Sequence, residues 1–227
     1  MRRVAVLVLL GAVAAGCGGG SGAGRATVWI TRDRGGRVVR VAKVPAGLTA
    51  MQGLSRVAKV ETRYGGRYVR AIDGFSEHGR RSWFYYVNGY LADRGAADYR
   101  LHAGDVEWWD YRPWRNPAQD PLVAGAFPQP FLSGYAGQRR KTMIVTPDAA
   151  GVRSLARRLH ASVASIGVGA LARDVNVIYV APSRGRTSAQ LAFVGPSSPG
   201  SPVKLSFSGD PRILSRRWPF RFRYSVP

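Results

Sequence analysis

The spacing of apolar residues changes twice along the first half of the chain. Residues 26–31 alternate weakly between apolar and polar positions, a glycine-containing turn follows, and the valine-rich residues 38–44 form a second predicted strand, which together predict a β-hairpin. Thr49 and Gln52 then form a capping-box pattern, which marks the start of a helix. The apolar residues behind it recur at helical spacing and predict about three turns: Met51, Leu54, Val57 and Ala58.

Three or four more strands are predicted before residue 112. Residues 68–72, 83–87 and 106–111 are rich in β-branched and aromatic residues, and a type I′ turn at Asn88-Gly89 joins 83–87 to a return strand at 90–92. Two strands, one helix and then further strands are typical of a β-grasp (ubiquitin-like) domain. The predicted fold class is therefore α+β, with a β-grasp domain at 26–112 and a second small α+β or α/β domain after it.

Residues 113–137 interrupt the pattern with prolines and glycines and predict an extended connector. Its aromatic side chains are expected to pack on a domain: Trp114, Phe127, Phe131 and Tyr135. Residues 138–227 form the second predicted domain, whose role the sequence does not indicate. It should contain a strand at 142–146, a helix capped by Asp148 with apolar positions up to Val163, and strands at 175–180, 189–194, 203–207 and 220–226.

The first residues have the pattern of an exported protein. Arg2 and Arg3 precede an apolar run at 4–15, which is shorter than the roughly 20 residues that a membrane-spanning helix needs. Cys17 follows small residues and resembles the lipidated cysteine of a bacterial lipobox, so 1–17 is predicted as a lipoprotein signal peptide and 18–25 as a Gly-rich tether. The protein is then expected on the extracytoplasmic face of a membrane. The alternative is a plain secretory signal with an incidental cysteine and a secreted product.

The net charge of +21 comes from 34 Lys and Arg against 13 Asp and Glu. Only four of the basic residues are lysines, and they are spread along the chain, which favours a GC-rich genome and a solvated basic surface. Contact with an anionic cell envelope is the second interpretation. Nucleic acid is the third, and no nucleic-acid partner is predicted.

Three motifs stand in order within 26–112. They are the aromatic strand from Trp83 to Gly89, which ends in Val-Asn-Gly, the Gly95-Ala-Ala-Asp-Tyr99 turn, and Gly104-Asp105 before the last strand. Together they resemble the bacterial extracellular domain family related to the C-terminal β-domain of transcobalamin and intrinsic factor. The resemblance implies the β-grasp fold and a corrinoid as a ligand. The carriers tend to have Gln where this chain has Phe84, and their helical barrel has no room in a chain of this length.

The aromatic strands supply the predicted ligand-binding residues: Trp83, Phe84, Tyr85, Tyr86, Asn88, Trp108 and Trp109. Strand alternation places Trp83 and Tyr85 on one face and Phe84 and Tyr86 on the other, and one face should pack on the helix. The other face either stacks on a planar or sugar-like ligand, with Asn88 fixing its orientation, or is buried in the core or against the second domain.

No catalytic residues, metal site or cofactor are predicted, and the protein is expected not to be an enzyme. His78, His102 and His160 lie in separate segments without a carboxylate partner. Asp105, Glu107 and Asp110 occupy one strand, where Asp105 and Glu107 could pair on a shared face, although a solvated edge is favoured. The Gly-rich residues at 167–169 and the Phe-Ser-Gly at 207–209 are interpreted as turns.

The predicted function is a membrane-anchored extracytoplasmic binding lipoprotein, accessory to the uptake of a small ligand such as a corrinoid. Its expected partners are the membrane, through the lipid anchor, and a transporter component or a cell-wall polymer. The alternative is a non-catalytic protein–protein or cell-envelope interaction module whose aromatic residues are buried at a domain interface. An envelope hydrolase is a third hypothesis, which no nucleophile motif in the sequence supports.

Overall fold

The computed structural model describes residues 24–114, 120–165, 174–216 and 218–224 of the protein. These residues form three sheets and a few short helices, which confirms the α+β class. In chain order the elements are β1 (Arg25–Arg32), β2 (Arg37–Pro45), α1 (Ala50–Ser55), β3 (Val60–Arg63), β4 (Tyr68–Ile72), β5 (Phe75–Ser76), β6 (Arg81–Val87), β7 (Tyr90–Leu91), β8 (Val106–Pro113), a 3-10 helix (Ala124–Ala126), α2 (Gln129–Leu132), β9 (Thr142–Val145), α3 (Ala149–Leu159), β10 (Ser162–Ala164), β11 (Asn176–Pro182), β12 (Ser188–Phe193), β13 (Val203–Gly209) and a second 3-10 helix (Pro211–Ser215).

The first sheet carries the aromatic strands at its centre. Its order is β2-β1-β8-β6-β7, in which β1 and β8 run parallel and the other neighbouring strands run antiparallel. In the β6–β8 register Tyr85 lies opposite Trp109 and Tyr86 lies opposite Trp108. Asn88 and Gly89 both have positive φ, at 52° and 92°, as the predicted type I′ turn requires.

Helix α1 begins as predicted but is shorter. The side chain of Thr49 accepts a hydrogen bond from the Gln52 N–H, and the Gln52 side chain bonds back to Thr49, so the capping box is confirmed. The helix ends at Ser55 after six residues, and strand β3, which the sequence analysis missed, follows it. Val57 and Ala58 still pack against the core, but they do so from a turn.

The second half of the chain forms a five-stranded sheet of order β10-β9-β11-β13-β12. Its first four strands are parallel and β12 is antiparallel. Asp148 caps α3 by accepting the Gly151 N–H at 2.9 Å, as predicted. Two predictions were wrong: Val163 lies exposed on β10 and not on the helix, and residues 220–224 form turns and not a strand. Residues 225–227 lie outside the described part of the chain.

The connector is folded more tightly than the predicted extended segment, because it contains a 3-10 helix and α2. Phe127, Phe131 and Tyr135 are buried, which confirms that the connector packs on its surroundings. Trp114 does not follow this prediction, since 47% of it is exposed. Buried apolar residues from both halves, among them Trp109 and Ile144, belong to one continuous core cluster.

Two sets of predictions fall outside the described residues. The signal peptide at 1–17 and nearly all of the tether precede residue 24, and the Gly-rich turn at 167–169 lies in the interval 166–173. Among the residues that the structure describes, no helix is both long enough and apolar enough to cross a lipid bilayer.

Candidate functional site

Four of the predicted aromatic residues are buried, Phe84 and Tyr85 are partly buried, and their distribution over the two sheet faces is as expected. Trp108 is completely buried, while Trp109 is 4% and Trp83 is 8% exposed. Trp83, Tyr85 and Trp109 lie on the face that packs on Leu54 of α1. Tyr85 stacks on Trp109, with ring centroids 4.8 Å apart and an interplanar angle of 18°. This face therefore belongs to the core.

The other face is covered by residues 218–224, which we call the C-terminal segment. Phe84, Tyr86 and Trp108 belong to a second apolar cluster together with Phe222 and Tyr224. The Tyr224 ring lies edge-on to both Tyr86 and Trp108, at centroid distances of 5.5 and 5.4 Å. Among the described residues, no fully exposed aromatic face of the kind that ligand stacking needs is observed, and a ligand could stack on Trp108 only if the C-terminal segment moved. The observed packing agrees with the buried-aromatic alternative.

Asn88 is buried, and its side chain is fully engaged within the protein. Its Nδ2 donates to Asp105 Oδ1 at 2.7 Å and to the Gly134 carbonyl at 2.9 Å, and its Oδ1 accepts the Val106 N–H at 2.7 Å. Both amide hydrogens are thus used. Asn88 joins the β6–β7 turn to the start of β8 and to the connector, so it could orient a ligand only by giving up these bonds.

Asp105 is the other centre of this network. Besides Asn88, it accepts the His102 backbone N–H at 2.8 Å and lies 3.5 Å from the Tyr99 hydroxyl. Burial raises the pKa of Asp105, and the hydrogen bonds from His102 and Asn88 oppose that shift. The Asn, Tyr and Asp of the three sequence motifs therefore stabilise the fold. His102 Nδ1 lies 3.5 Å from Asp105 Oδ2, so the expectation of a histidine without a carboxylate partner was wrong.

Glu107 lies completely buried on the core face of β8. Its Oε1 accepts the Trp109 indole N–H at 2.6 Å, whereas its Oε2 and the Tyr85 hydroxyl have no hydrogen-bond partner among the described residues. Burial raises the pKa of Glu107 well above its usual range and so favours the protonated acid. Since Asp105 and Glu107 are both buried, the predicted solvated edge was wrong.

Asp110, on the opposite face of β8, is buried among donors. It accepts hydrogen bonds from Thr31 Oγ1 at 2.5 Å, the backbone N–H groups of Arg34 and Gly35 at 3.0 and 3.1 Å, and the Tyr224 hydroxyl at 3.0 Å. The buried Arg112 also donates to Tyr224, at 3.2 Å. These bonds attach the C-terminal segment to the sheet, so the polar groups under it serve packing.

A cavity of about 260 Å³ lies where β1 meets the connector and the C-terminal segment. It is lined by Thr27, Trp29, Val106, Phe127, Pro128, Gln129, Arg158, Leu214, Arg216, Trp218 and Arg221. We call it the arginine–tryptophan cleft. Its described lining contains three guanidinium groups and no carboxylate, and its apolar part is aromatic and aliphatic. Cavities of this kind, largely apolar with a few convergent polar groups, are typical of ligand sites.

The two indoles of the cleft add an unusual feature. Trp29 and Trp218 are 4% and 6% exposed, and neither indole N–H has a hydrogen-bond partner among the described residues. A buried donor without an acceptor costs about 1–3 kcal/mol. The Arg221 guanidinium lies 4.5 Å from the centroid of the Trp29 ring. The guanidinium groups of the cleft thus offer donors and positive charge beside an apolar floor, which suits an anion with an apolar body.

Sequence reasoning missed the cleft, because its lining comes from both ends of the described chain. Trp29 lies on β1, whereas Trp218 follows the second 3-10 helix. The one available signal was the alternation of arginine and aromatic residues at 216–223, which the sequence analysis treated as part of a strand. Among the described residues there is no cluster of three or more His, Cys, Asp or Glu that could hold a metal ion.

The described residues form a mixed α/β fold that carries the arginine–tryptophan cleft. Residues 47–112 match the family model described as "Domain of unknown function (DUF4430)", and this range includes the Asn88–Asp105 network. A solved structure of a candidate metal-binding protein from Ruminococcus gnavus ATCC 29149 is similar with 13% identity, over 40% of this chain and 99% of that chain, at a TM-score of 0.33. A likeness this weak carries no conclusion about a ligand. No curated protein matches the chain.

Proposed function

We propose that the protein is a non-catalytic binding protein of the cell envelope, which takes a small anionic ligand with an apolar body into the arginine–tryptophan cleft. The observation that carries this proposal is a cavity whose described lining contains three arginines and no acid, with two buried indoles whose N–H groups have no acceptor among the described residues. An anionic oxygen would satisfy these donors, and the apolar floor would hold the rest of the ligand.

The location belongs to the same proposal. Lipidation at Cys17 and the Gly-rich tether would keep the domain close to the outer face of a membrane, where it could pass a ligand to a transporter component. The β-grasp assignment is also proposed. It is supported by the parallel pairing of the first strand β1 with β8 at the centre of the sheet, and by α1 packed on one face.

The choice of ligand departs from the corrinoid that the family resemblance implies. Phe84, Tyr86 and Trp108 pack with Tyr224 and Phe222, while Trp83, Tyr85 and Trp109 pack in the core with α1, so neither set is presented to a corrin ring. We keep the proposed accessory role in uptake and replace the corrinoid by a small anionic ligand.

The test is calorimetric titration of the full chain with 1-naphthyl phosphate, using uncharged 1-naphthol as the reference ligand. We expect saturable binding of the phosphate at one site and much weaker binding of the alcohol. The Arg158→Gln/Arg216→Gln double variant should lose at least about tenfold in affinity, since charge-assisted hydrogen bonds contribute about 1.5–3 kcal/mol and exposure reduces that value. Trp29→Phe should weaken binding through loss of one donor.

Arg67→Gln is the matched control, because Arg67 is an exposed arginine in the β3–β4 turn, away from the cleft. Its affinity for the probe should equal that of the unmodified protein. Absence of saturable binding at millimolar probe, or equal losses in the control and the cleft variants, would refute the proposal.

A further inference from the structure

A second, shallow groove of about 460 Å³ lies between α3 and the second 3-10 helix. It is lined by Ala150, Gly151, Arg153, Ser154, Arg157, Arg212, Ser215 and Arg216. We call it the arginine groove, after its four arginines. Arg216 also lines the arginine–tryptophan cleft, so the two depressions adjoin each other at this residue.

The charge of the groove is not neutralised within the described part of the chain. All four arginines are exposed, and none forms an ion pair with a described residue, since the ion pairs found there all involve residues between 33 and 120. The two nearest aspartates in sequence cap helices. Asp148 accepts the Gly151 N–H and Asp210 accepts the Arg212 N–H. A surface with one sign of charge in a concavity attracts counter-ions of the opposite sign.

The arginines stand in two rows. Arg153 and Arg157 are four residues apart on α3, whose other face is buried through Val152 and Leu155, so they are neighbours about 5–6 Å apart at Cβ. Arg212 lies on the facing 3-10 helix and Arg216 directly follows that helix, and both line the groove. Positive groups therefore repeat along both walls of the groove, an arrangement that fits a chain of repeated negative groups better than one small anion.

We propose that the arginine groove binds a phosphate-bearing anionic polymer, one unit of which enters the arginine–tryptophan cleft. This inference rests on the proposed function of the cleft and extends it to a longer ligand. Guanidinium groups match phosphate oxygens in a two-pronged geometry, which favours phosphate as the repeated group. A polymer is favoured over a lipid surface because the arginines line a concavity, whereas a planar bilayer contacts projecting side chains.

The test compares the full chain's affinity for orthophosphate, tripolyphosphate and long inorganic polyphosphate at equal phosphate concentration. Affinity should rise at least about tenfold from tripolyphosphate to the long chain, because further units bind at high effective concentration. The logarithm of the Kd should change with the logarithm of salt concentration with a slope of about 3, as expected for four phosphate contacts on a flexible strand.

The decisive variant is Arg153→Gln/Arg157→Gln, which leaves the cleft residues in place. It should lose roughly 25-fold in affinity for long polyphosphate, at about fivefold for each arginine near an anionic surface. Its affinity for 1-naphthyl phosphate should be unchanged. The matched control Arg67→Gln/Arg80→Gln removes two exposed arginines elsewhere and should retain polymer binding.

The outcomes separate the two proposals. If 1-naphthyl phosphate binds but polyphosphate binds no more tightly than tripolyphosphate, the inference about the groove is overturned and the cleft function stands. If 1-naphthyl phosphate does not bind while polyphosphate binding depends on Arg153 and Arg157, the cleft function fails, and with it the entry of one unit into the cleft, whereas polymer binding by the groove is supported. Equal affinity for polyglutamate of matched charge would overturn the assignment of phosphate. Binding to phosphatidylglycerol vesicles, but not to polyphosphate, would overturn the polymer in favour of a membrane surface.

Discussion

Replacement of the buried Glu107 by glutamine should make the protein less sensitive to pH. The side chain is completely buried on β8, with one oxygen bonded to the Trp109 indole and the other without a partner among the described residues. Glutamine has nearly the same shape as the protonated acid and carries no ionisable group. Glu107→Gln should therefore fold normally and differ from the unmodified protein mainly in how stability depends on pH.

The sign follows from the raised pKa. Burial raises the pKa of folded Glu107 well above the usual value of 4.5, so between these two pKa values the folded protein binds one proton that the unfolded chain has released. The stabilisation by this proton is complete below the unfolded pKa and is lost as pH rises toward the folded pKa. One proton corresponds to about 1.4 kcal/mol of stability for each pH unit between the unfolded and the folded pKa.

The measurement is urea unfolding, followed by tryptophan fluorescence at several pH values in that range. The free energy of unfolding of Glu107→Gln relative to the unmodified protein should rise steadily with pH. Leu54→Ala serves as the control, because truncation of this fully buried leucine leaves a cavity that lowers the free energy of unfolding by about 2–5 kcal/mol at every pH. A difference between Glu107→Gln and the unmodified protein that stays constant with pH would show that Glu107 is already ionised in the fold.

Three further predictions concern α1, the motif network and the anchor. Gly53→Ala should lower the free energy of unfolding by about 1–3 kcal/mol although alanine favours helices, because the added Cβ would lie 2.9 Å from Glu107 Oε2. Thermal melting of this variant, with Ser55→Ala at an exposed position as the control, would check this. A raised Tm for Gly53→Ala would refute it. Asn88→Ala should lower the free energy of unfolding in urea by about 3–5 kcal/mol, because it leaves the buried polar partners of Asn88 unsatisfied at a position with positive φ. An unchanged free energy of unfolding would contradict the role of this hydrogen-bond network. Cys17→Ala should move the protein from the membrane fraction to the soluble fraction, and continued membrane association would contradict lipidation at that residue.

Local backbone rules explain the parts of the fold that the sequence predicted well. The capping box at Thr49 and the turn at Asn88-Gly89 involve residues within a few positions of each other, so their chemistry can be read directly. The length of α1 could not be read in this way. Val57 contacts the core from a turn, and an apolar residue in a turn produces the same spacing as one on a helix. The prediction that Val163 lies on α3 was wrong because Val163 continues the helical spacing of apolar residues but lies exposed on the short strand β10.

The candidate site could not be predicted from the sequence, because it is formed by contacts between residues that are far apart in the chain. The acidic residues of β8 appeared to be an exposed edge, because sequence spacing does not reveal how many donors will surround a carboxylate. Asp110 acquires one of its donors from Tyr224, 114 residues later in the chain. The arginine–tryptophan cleft likewise requires β1 and the residues after the second 3-10 helix to meet.

The sequence by itself determined which aromatic side chains share a face, because alternation is a property of the extended backbone. Trp83 and Tyr85 therefore separate from Phe84 and Tyr86, as predicted. Only the tertiary structure decided what covers each face and where a cavity opens between charged residues. Apolar burial is non-directional, so many distant segments could have covered Trp108, and the packing of the whole chain selected Tyr224 and Phe222.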